Sequence, residues 1–408
     1  MDTLRTNFLI PSIPDNRDAM NTYPDFLNEL RRFDERLKAD RLCFPENMEL
    51  DMFAANARLQ CARKRRAFMM IGIREIIESE DQNTYEVEEA TERGSIKSLY
   101  SAKMGVAGNK TISESAPGKT DPSTKTGLEI NDISFRLPKC HVSVQAQTLV
   151  EQAYQILTEA STMDPETATE LFYCARDIFD MYRAVMPVLH EDELLNSPTR
   201  AVLFYNDTEY ICHHLLTMGY QFQDRLPPAI NQFATFLDMV PFFRNLGESY
   251  FRAQMRKQRD IVQMHVSNAQ GFSNLTDDAR FETVERCIKQ ALSHLNSLSR
   301  VWKPILAEEM YLNTVGLLVD TFLESVMTQV SALAGTLRVE EGHQLRYILG
   351  LVLKAEDMFE KRVPGGSGGG SSGMRGIGKK GAGWVKMPVR KYVNRWDAFL
   401  KVKEDLIL

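Results

Sequence analysis

Apolar residues recur at intervals of three and four through most of the chain, which is the spacing of one face of an α-helix. Two such runs are Leu171, Cys174, Ile178 and Met181, followed by Ile211, Leu215, Met218 and Phe222. No stretch shows sustained alternation of β-branched and polar residues, so no sheet is expected. The pattern predicts an all-α fold made of extended stacks of antiparallel helices.

Helix starts are marked between residues 142 and 360. Asp164 is followed by Pro165 and Glu166, which supplies a capping side chain, a proline at the first helical position and an acid near the helix dipole. Ser197 and Pro198 repeat the cap and the proline, and Thr276-Asp277-Asp278 repeats the cap and the acid. These signals predict a succession of separate helices.

An earlier helical block is predicted from Tyr23 to Glu80, with a break between Asp40 and Asn47 around Pro45. The second half of this block forms one long amphipathic helix of about 45 Å, a length that suits an extended rod. Its predicted apolar face consists of Met52, Ala55, Leu59, Ala62, Phe68 and Ile71.

Two segments lack helical periodicity. An acidic stretch that begins near residue 79 passes into a Gly/Ser/Thr/Lys-rich one, which predicts a disordered linker over 81–134. Ten of the nineteen residues from Gly365 to Gly383 are glycine, which predicts a flexible linker over 363–390. The expected units are therefore a helical segment at 1–80, a C-terminal helical domain at 135–362 and a terminal helical segment at 391–408.

Composition narrows the function classes. Of 408 residues, 43% are hydrophobic and 25% charged, which is ordinary globular usage, and the net charge of -6 argues against a general nucleic-acid binder. No apolar run reaches the roughly 20 residues that span a bilayer. Pro11 and Pro14 interrupt the short apolar run near the N-terminus, so no secretory signal is recognised and a cytosolic chain is expected.

No residue pattern predicts a catalytic, cofactor or metal site. The six cysteines form no C-x-x-C pair, and Cys212, His213 and His214 are neighbours on a helix that point about 100° apart. His190 begins a segment that lacks the second histidine of H-E-x-x-H. We therefore expect a protein that is not an enzyme, while a cysteine- or metal-dependent hydrolase remains an alternative.

A basic run, Arg63-Lys64-Arg65-Arg66, lies on the long helix of the first block. A solvated helix face is the simplest interpretation. The same cluster would also suit contact with acidic lipid or nucleic acid. A membrane-surface helical module therefore remains a second alternative.

The terminal helical segment carries an apolar stripe of Tyr392, Trp396, Phe399 and Val402. A glycine-rich tether leaves such a stripe free to fold back on its own chain or to reach a partner, and either arrangement buries it. Trp396 and Phe399 are the predicted partner-binding residues. Docking on the protein's own helices is the alternative.

The order of several segments resembles the zeste-white ten family, in its C-terminal half. Most lie beyond residue 135. They are residues 135–140, 171–173, 176–179, 211–219, 234–241, 243–244, 246–247, 253–256 and 272–274, with weaker similarity around residues 12–14, 58–59 and 67–68. None is a catalytic motif; the specificity lies in their order and spacing. The family's N-terminal coiled-coil half and its last helices have no counterpart here, and the Gly-rich run is not a feature of the family.

This resemblance implies a helical scaffold without cofactors that acts in two settings. One is a vesicle-tethering complex of Golgi-to-ER retrograde transport. The other is the Rod–Zwilch complex of the kinetochore, which recruits dynein and supports the spindle checkpoint. The implied partners are a NAG-like or Rod-like subunit, Zwilch through the complex, and dynein/dynactin indirectly. The implied locations are the cytoplasm, the ER membrane surface through the complex, and the kinetochore and spindle in mitosis.

Overall fold

The computed structural model describes residues 2–14, 17–40, 42, 49–79, 83–87, 137–333, 338–362 and 384–405. These residues are predominantly helical, which confirms the all-α prediction. The α-helices are α1 (Arg17–Ala39), α2 (Glu49–Glu78), α3 (Val144–Ala160), α4 (Pro165–Leu189), α5 (Glu191–Asn196), α6 (Pro198–Phe222), α7 (Pro228–Asn231), α8 (Val240–Ser267), α9 (Asp278–Trp302), α10 (Glu308–Ser331), α11 (Val339–Val352) and α12 (Trp396–Asp405). Shorter helical turns lie at Asp2–Leu4, Arg5–Leu9, Ile10–Ser12, Leu353–Phe359 and Val389–Lys391.

Two small antiparallel strand pairs accompany the helices. Strand β1 (Thr84–Val87) pairs with β2 (Cys140–Ser143), and β3 (Glu360–Arg362) pairs with β4 (Trp384–Lys386). The sequence did not predict them, because each strand is very short and its partner is remote along the chain. β1 and β4 lie within the two predicted linkers. The greater part of both linkers lies outside the described residues.

The predicted helix starts are largely confirmed. The Asp164 side chain accepts a hydrogen bond from the Thr167 backbone N–H at 3.1 Å, and the Ser197 hydroxyl accepts one from the Arg200 N–H at 3.4 Å. Helix α9 begins directly after Asp277, although the side chain of this residue makes no capping hydrogen bond. Side-chain capping therefore fixes where α4 and α6 begin.

Helix α2 buries a different face along each half of its length. Its first half packs with α1 in an N-terminal cluster whose members on α2 are Leu50, Phe53, Ala54, Ala57 and Cys61. Its second half inserts Ile73 and Ile77 into the core of the following helices. The predicted apolar face was wrong at Met52, Phe68 and Ile71, since these three side chains are exposed. A helix with different neighbours along its length has no single buried stripe.

Two further clusters form the main core. The middle cluster joins the second half of α2 to β1, β2, α3, α4 and the start of α8. The C-terminal cluster joins most of α8 to α9, α10, α11 and α12. Helix α6 contributes to both, with Val202 and Leu203 in the C-terminal cluster and Phe204 and Ile211 in the middle one. The two clusters are thus connected by α6 and α8.

A buried polar junction lies where these clusters meet. The Asn206 side-chain amide donates to the backbone carbonyls of His141 at 2.8 Å and Ile305 at 2.9 Å. The neighbouring Asp207 carboxylate accepts the Ser143 N–H at 2.6 Å. The edge of β2 that faces away from β1 is therefore satisfied by α6 and by the α9–α10 connection, as buried backbone groups require.

Candidate partner-binding site

The terminal segment returns to the helical core through the β3–β4 pair. Beyond β4, the Met387 backbone N–H donates to the Phe359 carbonyl at 2.8 Å. The chain then makes the turn Val389–Lys391 and enters α12, which packs on α10. Val389 and Val393 are buried in the C-terminal cluster. The segment from 387 onward thus follows a defined path over α10.

Arg395 anchors the start of α12 to α10. Its backbone N–H donates to Asp320 Oδ1 at 2.8 Å, and its guanidinium contacts the other oxygen of the same carboxylate. A second guanidinium nitrogen donates to Glu324 Oε1 at 2.8 Å. The buried Asp320 side chain lies at the N-terminal end of α12, where the helix dipole favours negative charge.

Gly316 allows the terminal segment to lie this close to α10. A Cβ atom on Gly316 would lie 2.9 Å from Tyr392 Cβ and 3.0 Å from the Tyr392 carbonyl carbon, and it would also clash with the carbonyl oxygen. Ordinary carbon contacts begin near 3.5 Å. The glycine therefore makes room for the backbone of the terminal segment on the surface of α10.

The two predicted partner-binding residues lie in the protein's own core. Trp396 is 5% exposed and Phe399 is 0% exposed, and both belong to the C-terminal cluster. Tyr392 and Val402, the rest of the predicted stripe, are partly buried against the same cluster. The structure therefore has the self-docked arrangement. A partner would reach either ring only after α12 had separated from α10, and partner binding through these residues stays a prediction.

The basic run of α2 pairs with acidic residues of the neighbouring helices. Arg63 and Arg66 contact Glu170 of α4 at 2.9 and 3.1 Å. Arg66 also contacts Asp177 at 2.5 Å, and Arg65 pairs with Glu159 of α3. The Lys64 ammonium donates to the Ile13 carbonyl at 2.5 Å. The solvated-face interpretation holds for Arg63 and Lys64, which are exposed, whereas Arg65 and Arg66 are partly buried against the acidic side chains of α3 and α4.

The cysteine and histidine candidates have the properties of core residues. Burial raises the pKa of the Cys212 thiol to about 12 and lowers the pKa of His214 to about 3. The His214 ring hydrogen-bonds to the Tyr154 hydroxyl at 3.2 Å. Burial also raises the pKa of Cys140 to about 11 and that of Cys174 to about 12. A protonated thiol is a weak nucleophile and a poor metal ligand.

Within the described part of the chain, no group of three or more His, Cys, Asp or Glu residues has a geometry that could hold a metal ion. Over the same residues, none of the helices combines the length and the apolar character needed to cross a bilayer.

The residues that fix the terminal segment were missed in the sequence. Asp320 and Arg395 are 75 positions apart in the hydrogen bond that joins them, so no local spacing relates them. Gly316 did leave a signal, since a glycine inside an apolar helical pattern indicates close packing. Asp207 resembles any acid on a helix until its burial at the junction is known.

Comparison with known proteins places these helices in a family. Residues 135–264 match the family model described as "Centromere/kinetochore protein zw10, C-terminal", and residues 286–363 match "ZW10 C-terminal helical domain". The zw10 homolog of Rattus norvegicus is 32% identical over 350 residues, which is 84% of this chain and 44% of the relative. The chain belongs to the zeste-white ten (zw10) family.

Two other relatives are also similar to this chain. The zw10 homolog of Mus musculus is 30% identical over 84% of the chain, and that of Arabidopsis thaliana is 25% identical over 57%. The chain spans less than half of the length of these curated relatives, 44% for the mouse protein and 31% for the plant one. The family resemblance in the sequence is thereby confirmed, including its restriction to the C-terminal half.

The segments that carry the resemblance are packing elements. Cys212 and Phe236 are buried in the middle cluster. A Cβ on Gly219 would lie 2.8 Å from the Ala234 carbonyl oxygen, so this glycine lets the α6–α8 connection approach α6. At Gly247 a Cβ would overlap the buried side chain of Thr208, so α8 crosses α6 closely there. In this chain, these positions act through close contact between helices.

Proposed function

We propose that this chain is a non-enzymatic scaffold subunit of a kinetochore assembly. The supporting observation is that the two segments matched by the family models form one continuous core, connected through α6 and α8. The names of the relatives, centromere/kinetochore protein zw10 homologs, support the location. A rigid helical stack presents docking faces at fixed separations, and this task needs no chemical step.

The finer proposal follows the family resemblance. The chain binds a NAG-like or Rod-like subunit and associates with Zwilch through the complex. It is linked indirectly to dynein/dynactin, in support of the spindle checkpoint. The same stack serves a vesicle-tethering complex in Golgi-to-ER transport, with membrane association only through that complex. Direct nucleic-acid binding is not part of the proposal, given the net charge of -6.

The proposed contact for the NAG-like or Rod-like subunit is the face of α12 that carries Trp396 and Phe399. These rings are buried against α10, so capture through them requires α12 to be exchanged from α10 onto the partner. Large aromatic side chains are the usual anchors of such contacts. The ion pair of Arg395 with Asp320 opposes this exchange, and a partner would have to replace it.

The test measures capture of purified NAG-like, Rod-like and Zwilch-like subunits by the immobilised chain. Three forms are compared: the unaltered chain, the double variant Trp396→Ala/Phe399→Ala, and Gly316→Ala, which loosens α12 without changing its rings. Capture through α12 predicts more binding by Gly316→Ala and none by the double variant. Equal capture by all three forms would keep the scaffold role and move the contact to another face.

Failure of every subunit to bind the unaltered chain, at concentrations well above those expected for a stable complex, would refute the scaffold proposal. Melting temperatures are measured in parallel, because Phe→Ala or Trp→Ala at buried positions costs about 3–5 kcal/mol when the site cannot collapse. Loss of stability with unaltered capture would make the terminal segment ordinary core.

A further inference from the structure

A groove runs along the outer side of α9, next to α11 and the turn Leu353–Phe359. It encloses about 380 Å³. Along α9 it extends from Lys289 to Arg300, which corresponds to about 16 Å of helix. This groove lies outside the α10–α12 contact described above.

Three cations line the groove: Lys289, Arg300 and Lys354. Lys289 is paired with Glu285 at 2.8 Å. Arg300 and Lys354 form no ion pair with any described residue, and no carboxylate of the described residues lines the groove. Both side chains belong to exposed residues. Glu285 also attracts Lys354, but one carboxylate beside three cations leaves the groove positive on a protein whose net charge is -6.

The floor and the walls differ in character. Leu292 and Leu351 form an apolar floor, and both are buried. Ser293, Asn296 and Ser297 form a polar wall along α9. Hydroxyl and amide groups can donate to carboxylate oxygens, and an apolar floor accepts a small aliphatic side chain. The groove thus combines positive charge, hydrogen-bond donors and an apolar floor in one strip.

We infer that this groove binds an acidic peptide segment that carries one aliphatic anchor. An extended segment of about five residues covers the 16 Å length. Its carboxylates face Arg300 and Lys354, and its aliphatic side chain rests on Leu292 and Leu351. The inference uses a surface separate from the proposed α12 contact, so either can fail without the other.

Charge and shape favour a peptide over a nucleic acid. A nucleic acid needs an extended cationic track, together with aromatic rings for stacking when it is single-stranded. Here Glu285 neutralises Lys289 at one end of the groove, the floor is aliphatic, and no aromatic side chain lines the groove among the described residues. The exposed Arg300 and Lys354 and the leucine floor match alternating acidic and aliphatic side chains.

The experiment measures fluorescence anisotropy of a labelled peptide of about eight residues, with Asp and Glu around a central leucine. A second peptide carries Asn and Gln in place of the acids, and a third carries glycine in place of the leucine. The protein is tested unaltered, as Arg300→Glu/Lys354→Glu, and as Ser297→Trp, which fills the groove without changing charge. A control, Arg256→Glu/Lys401→Glu, reverses two exposed charges elsewhere.

We expect the acidic peptide to bind the unaltered chain and to bind about tenfold more weakly after Arg300→Glu/Lys354→Glu. The control should bind nearly normally, Ser297→Trp should bind weakly, and both altered peptides should lose affinity. Added salt should weaken binding, because exposed charges are screened. All substituted residues are exposed, so the melting temperatures should match that of the unaltered chain.

Three results would overturn the inference. The first is that the acidic peptide does not bind, and the second is that the charge reversal in the groove leaves its affinity unchanged. The third is that the control variant weakens binding as much as the groove variant does. A fourth uses a single-stranded oligonucleotide probe. If the oligonucleotide binds more tightly than the peptide and with the same dependence on Arg300 and Lys354, the groove is a nucleic-acid site instead.

Discussion

Replacing Gly316 by alanine tests whether the terminal segment is docked on α10. Alanine is the better helix former, so Gly→Ala inside an unobstructed helix stabilises a protein by about 1 kcal/mol. At Gly316 the new methyl group would instead meet the backbone of Tyr392. The sign of the effect therefore depends on whether the segment lies where the structure places it.

The magnitude follows from the contact distances. The methyl carbon would lie 2.9 Å from Tyr392 Cβ, so α10 and the segment would have to separate by about 0.6–1 Å to restore normal contact. Backbone atoms cannot rotate away as a side chain can. Overpacking of this kind costs about 1–3 kcal/mol, which exceeds the gain in helix propensity. We expect a net loss of up to about 2 kcal/mol.

Gly350→Ala is the matched control. Gly350 also lies inside a helix, α11, and a Cβ there meets no atom within 4 Å. This variant should gain up to about 1 kcal/mol. Urea unfolding gives both free energies, and hydrogen exchange at the Arg395 and Phe399 amides reports whether α12 is loosened, since both amides are hydrogen-bonded in the docked state.

The reasoning is refuted if Gly316→Ala stabilises the protein as much as Gly350→Ala does and leaves exchange in α12 unchanged. That result would place the terminal segment away from α10. A loss of stability with unchanged exchange in α12 would be equally damaging, because the clash would then lie somewhere other than at Tyr392.

Three further substitutions test other parts of the core. Burial raises the pKa of Asp207 to about 7, above its value of 3.8 in a free side chain. The folded state therefore binds more protons than the unfolded state between these two values, so stability should fall as the pH rises from about 4 to about 7. Asp207→Asn should abolish this pH dependence in melting experiments. Arg66→Ala should lower stability by about 1 kcal/mol and speed exchange in α2, whereas Arg74→Ala, which breaks only a pair within α2, should do neither. The Arg280 guanidinium donates to the backbone carbonyls of Ala269, Gln270 and Gly271, in the connection between α8 and α9. Arg280→Ala should therefore lower the free energy of unfolding in urea by about 1–3 kcal/mol. An unchanged midpoint would contradict this role.

Local signals in the sequence predicted the helices well. The runs around Leu171 and Ile211 lie on buried faces, and the caps at Asp164 and Ser197 begin helices where expected. These features depend only on neighbours three or four residues away. Because the sequence alone shows which residues lie three or four positions apart, the helical fold could be predicted without knowledge of any long-range contact.

Features that depend on distant partners could not be predicted. The buried side of α2 changes along its length because α1 lies against one half and α3 and α4 against the other, so Phe68 and Ile71 were assigned to the wrong side. The stripe of Trp396 and Phe399 was correctly identified as a buried surface. Its docking place depends on Gly316 and Asp320, and nothing near Trp396 in the sequence identifies either.

The β1–β2 pair also has a practical consequence for protein engineering. Val87 and Cys140 face each other in the strand register, so the two ends of the segment that joins these strands are adjacent in space. For a flexible loop whose ends are held together, doubling the length costs only about 0.6 kcal/mol in chain entropy. A fluorescent protein or an affinity tag whose own ends lie close together could therefore be inserted between residues 88 and 139, leaving the helices and the terminal segment in place.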